Sequence, residues 1–113
     1  MSTIREIIKE KSERLRDISN IPPMEASESL VELSSLLSTL NAYISDKQFM
    51  VNQKRASLLQ EAKSVAKARL LTEATTEWKE WFEAVMQRDA MLEMIRALKY
   101  HIRGLENEYK VIS

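Results

Sequence analysis

Few residues in this chain carry reactive chemistry, and those few are charged side chains set into apolar helical stripes. Lys47, Lys54 and Glu61 continue a lane that Leu33 and Leu40 begin, and Arg88 interrupts the lane of Trp81 and Ile95. A hairpin turning about Ala74 opposes Glu61 to Arg88 and Lys54 to Glu93. Such polar pairs fix register and partner choice in helical interfaces, so they are read as pairing residues rather than ligand contacts. Lys47, Lys54, Arg55, Lys63, Lys67 and Arg69 stand against Glu61 alone, and Arg88, Arg96, Lys99 and Arg103 against Asp89 and Glu93. The hairpin sets these runs side by side as a basic belt able to meet phosphates, with Lys54, Lys63, Arg96 and Lys99 as the contacts; the bland alternative is a solvated helix face.

Catalytic constellations are missing. The chain has no Cys, which removes thiol catalysis and thiolate metal sites, and a single His, which removes a zinc site built from several histidines. No Gly-rich phosphate loop, nucleophile elbow, HExxH or EF-hand spelling occurs. Di-iron bundles need Glu-x-x-His pairs, and Leu98 stands three residues before His101. The expectation is no enzyme, no cofactor and no metal. His101 is expected at the surface near Lys47, with a pH-sensing role as the minor alternative.

The elements that position these residues are helices. One Gly and two Pro among 113 residues leave little turn chemistry for strands. Equal numbers of basic and acidic residues, 17 each, give no global attraction to nucleic acid or anionic lipid. The expected class is all-α: an antiparallel hairpin of two long helices plus a shorter N-terminal helix, coiled-coil-like, assembling into an oligomeric bundle. One domain spans 1–113, with helices at about 3–19, 24–71 and 77–110. Thr3 and Glu6 have capping-box spacing, and Pro22-Pro23 ends the first helix.

Leu30, Leu37, Ile44, Val51, Leu58 and Val65 recur every seven residues, the mark of one long helix with a coiled-coil seam. A break at Ser45 is the alternative, disfavoured because the seam crosses it without changing phase. Thr72–Thr76 is the expected turn, since its threonines are mediocre helix formers and good caps. Trp81, Ile95, Ile102 and Tyr109 line the third helix, while Phe82 falls outside its lanes and reads as an exposed anchor for a partner. At about 1.5 Å per residue the first helix has the length to fold back over Leu30–Leu37. The lanes are wider than a two-stranded seam needs, so self-association, as a homodimer or higher, is expected.

The run Glu93-Met94-Ile95-Arg96-Ala97-Leu98-Lys99-Tyr100-His101-Ile102-Arg103, after a long Ser- and Leu-rich helix, resembles small helical proteins of unknown function in bacteriophage and prophage genomes. The likeness spans residues 25–110 and carries over no functional residues. It implies a phage accessory role in DNA metabolism or against a host defence. Without an apolar run of about 20 residues or a basic, apolar leader, the expected location is the cytoplasm of a bacterium or infected cell. Binding to an unidentified protein is the leading functional expectation, and nucleic-acid binding is the competing one.

Overall fold

The computed structural model describes residues 2–112. Among them are four α-helices, a single 3-10 turn and no strand. The side chains of Thr3 and Tyr109, on which the capping box and the end of one lane were placed, lie outside the described residues.

Helix α1 runs Ser2–Leu15, shorter than expected. Its last apolar turn closes as a 3-10 helix, Ile18–Asn20, where the Asn20 amide donates to the Asp17 carboxylate at 2.7 Å. Helix α2, Pro23–Ala62, opens with proline in the first helical position, where the missing N–H costs nothing. It passes unbroken through Ser45.

The expected rod to residue 71 does not exist, because α2 stops at Ala62. Lys63 adopts φ 55°, and Ser64 is extended and caps helix α3, Val65–Glu73, its Oγ accepting from the Lys67 N–H at 3.4 Å. The physical reason lies in the lane itself. Lys54 and Glu61 are exposed, so the last turns of α2 have nothing apolar to bury on that side and gain little by continuing. Chain reversal instead buries Ala68 and Thr72. Val65, the sixth seam residue, is consequently 75% exposed.

The next turn falls within the threonine cluster. The fully buried Thr72 donates its hydroxyl to the Ala68 carbonyl at 2.7 Å. Thr75 donates to the Thr72 carbonyl at 2.6 Å and accepts from the Trp78 N–H at 3.2 Å. It is therefore the N-cap of helix α4, Thr76–Ile112.

The helices are divided between two compact units, Met1–Ser38 with Gln87–Ser113, and Thr39–Met86. The first is built on Ile4, Ile21, Leu33, Met91 and Leu98. Polar side chains tie α1 to the start of α2: Arg14 grips Glu25 through two bonds of 2.7 and 2.8 Å, and Lys11 meets Ser29 at 3.1 Å and Glu32 at 2.9 Å. The second is built on Leu40, Ile44, Val51, Ala68, Thr72 and Ala84.

Candidate interaction surface

The seam residues have unequal fates. Ile44, Val51 and Ile95 are buried; Leu30, Leu37, Leu58, Trp81 and Ile102 are half-buried; Val65 is exposed. The largest fully buried side chains on α2 are Leu33, Leu40 and Val51, so the companion lane carries as much of the core as the lane first identified.

Arg88 and Glu93 have local partners. Arg88 reaches Asp89, its chain neighbour, at 3.3 Å, and Glu93 pairs with Arg96 one turn along α4. Glu61 and Lys54 are exposed. Lys47 meets Glu80, with its ammonium 5.4 Å from the Tyr43 ring. The Glu80 carboxylate holds the Lys47 pKa above its ordinary value. His101 Nε2 donates to the Ile21 carbonyl at 2.9 Å.

Within the second unit, large apolar side chains stand at the surface of every helix. Phe49, Met50 and Leu59 project from α2, Val65, Leu70 and Leu71 from α3, and Phe82 and Met86 from α4. Phe82 is stacked on Trp78, with ring centroids 5.0 Å apart and an interplanar angle of 11°; Trp81 tilts against Trp78 at 6.3 Å. Beside these rings lies a groove of about 420 Å³, walled by Leu59, Val65, Ala68, Trp78 and Trp81. Arg55, Arg69 and Glu73 complete its lining, with Arg69 tied to Glu73 at 3.4 Å. The Trp81 indole N–H is buried without an acceptor among the described residues.

The arrangement is suited to burying another apolar surface. Aromatic rings and aliphatic walls supply contact area, and an exposed guanidinium supplies polarity at the edge. Of the candidate phosphate contacts, Lys54 and Lys63 are exposed in the second unit, and Arg96 and Lys99 are exposed in the first. Among the described residues, no three of His, Asp and Glu are grouped as a metal would need, and no helix is long and apolar enough to cross a membrane.

Phe82 stood out in the sequence because it left the heptad lanes. The same signal marks Phe49, which sequence reasoning passed over. The groove had no signal, since it depends on the reversal at Lys63-Ser64. No protein-family model matches the chain, and neither a curated protein nor a solved structure matches it.

Proposed function

We propose that this chain is a non-enzymatic helical protein that self-associates and acts by binding another protein. The observation that carries the reading is the apolar surface of the second unit, where large side chains from α2, α3 and α4 face solvent. Fully burying one such side chain contributes about 1.5–3 kcal/mol. Association costs roughly 4–15 kcal/mol in lost freedom. A single exposed leucine therefore binds nothing, whereas several on one unit suffice. In this reading α2 and α4 are the arms of an antiparallel hairpin, as the ion pair between Lys47 and Glu80 favours, and copies assemble into a helical bundle. The phage-type accessory role rests on the resemblance of residues 25–110 to phage and prophage proteins, and the cytoplasm of a bacterium or infected cell is where such a role would be exercised.

Sedimentation equilibrium of the intact chain over a hundredfold concentration range tests this. The expected result is a mass rising to two chains or more. A mass fixed at one chain overturns the self-association reading.

Binding of nucleic acid is the second reading, favoured by the exposed Lys54, Arg55, Lys63 and Lys67 along the end of α2 and α3. It requires salt-dependent binding of DNA or RNA, weakened by substituting Lys54 and Lys63. Undetectable binding at low salt removes it.

A further inference from the structure

We infer that two copies of this chain pair by exchanging halves: the break at Lys63-Ser64 straightens, and the segment from Val65 onward packs on residues 1–62 of the second copy. The inference rests on the self-association reading above and specifies the contact that makes the pair.

Topology permits the exchange. Each compact unit combines chain from before the break with chain from after it. In the first, His101 is bonded to the Ile21 carbonyl 80 residues back, and Leu33 belongs to one core with Met91 and Leu98. In the second, Lys47 pairs with Glu80, and Leu40, Ile44 and Val51 belong to one core with Ala68, Thr72 and Ala84. Between Ala62 and Val65, Lys63 and Ser64 alone join the two halves. A second copy's half offers the same partners, so all of these contacts can re-form between chains.

The hinge supplies the drive. Lys63 carries a Cβ at φ 55°, a strained conformation, and short hinges under strain invite swapping. From Gln60 to Arg69 there is neither glycine nor proline, so nothing local forbids a continuous helix. Straightening relieves Lys63 and gives the N–H groups of Ser64 to Lys67 the carbonyls of Gln60 to Lys63. In the bent form the Lys67 N–H reaches the Ser64 hydroxyl at a long 3.4 Å. Heptad spacing also crosses the break in phase. Val65 follows Leu58 by seven residues yet is 75% exposed, and straightening returns it to the seam. A single copy stays bent, because straightened alone it would leave both cores open to water.

The test refolds a Lys47→Glu chain together with an isotope-labelled Glu80→Lys chain from urea and counts dimers by native mass spectrometry. Exchanged halves pair opposite charges twice in the mixed dimer and like charges twice in each homodimer. Mixed dimers should therefore outnumber homodimers at least about fivefold, whereas contacts kept within each chain give equal numbers. A chain carrying both substitutions re-forms the pair and should dimerise like the unsubstituted one. Lys63→Gly, which relieves the bent form and weakens a continuous helix, should raise the dissociation constant at least about tenfold. Equal numbers, a mixture without dimers, or a dissociation constant that Lys63→Gly leaves unchanged overturns the exchange; where the unsubstituted chain still dimerises, self-association stands. An unsubstituted chain that sediments as a monomer overturns both.

Discussion

Replacing Lys63 by glycine distinguishes a helix that ends at Ala62 from one that continues. Lys63 holds φ at 55°, a conformation that costs a residue with a Cβ about 1–2 kcal/mol. Glycine removes that strain but raises the entropy of the unfolded chain, which offsets about 0.4–1 kcal/mol. The net expectation for Lys63→Gly is a stabilisation of about 0.5–1 kcal/mol, or a melting temperature higher by about 2–6 °C. In an unbroken helix the same change would destabilise by about 1 kcal/mol, because glycine is the poorest helix former after proline. Ser64→Ala gives the reciprocal test. Loss of the bond from Ser64 Oγ to the Lys67 N–H, long at 3.4 Å, should cost about 0.5 kcal/mol. Alanine inside a continuous helix would instead add a few tenths. Urea unfolding at fixed protein concentration reads both, since association shifts apparent stability. Destabilisation by Lys63→Gly together with stabilisation by Ser64→Ala would refute the break and the groove that depends on it.

Other consequences can be measured on single variants. Thr75→Ala removes the cap of α4 and should cost about 1 kcal/mol in urea unfolding, with Thr75→Ser retaining most of it. Leu40→Ala empties a fully buried site and should cost about 2–5 kcal/mol by the same measure. Gly104→Ala should stabilise α4 by about 0.5–1 kcal/mol, since a Cβ there meets nothing within 4 Å. The Glu25 carboxyl lies below its ordinary pKa because Arg14 hydrogen-bonds its charged form. Its contribution is therefore present at neutral pH and is lost as pH falls below about 4 and the carboxylate protonates. Glu25→Gln should flatten that acid limb, and a carboxyl carbon titration by NMR should place its midpoint below that of an unpaired glutamate.

Much of the architecture was legible because it follows from backbone chemistry. Two adjacent prolines can end only one helix and start another, and Thr75 offers a side-chain oxygen where the first N–H groups of α4 need one. The sevenfold recurrence correctly carried α2 through Ser45. It failed at Lys63-Ser64 because that break uses neither glycine nor proline, and a lysine at positive φ leaves no trace in composition. The extent of the rod and the residues facing it were then misplaced. The ion pair of Lys47 with Glu80 was not foreseen, and Val65 was assigned to the seam when it is exposed. Burial also follows a balance of lanes that heptad counting cannot rank, as Leu33 and Leu40 against Leu30 and Leu37 demonstrate. Phe82 was read as exposed because its position left the stripe, and it is exposed. Phe49, Leu70 and Met86 carry the same information, which becomes readable once the burial of their neighbours is known.

Hydroxyl-radical footprinting across a dilution series tests most directly whether another chain covers the apolar surface of the second unit. Oxidation rates of Met50, Phe82 and Met86 should fall several-fold as concentration rises through the association range, while the rate of Met24, exposed in the other unit, stays constant. Rates at Phe82 and Met86 that remain those of the dilute chain at every concentration would contradict the account.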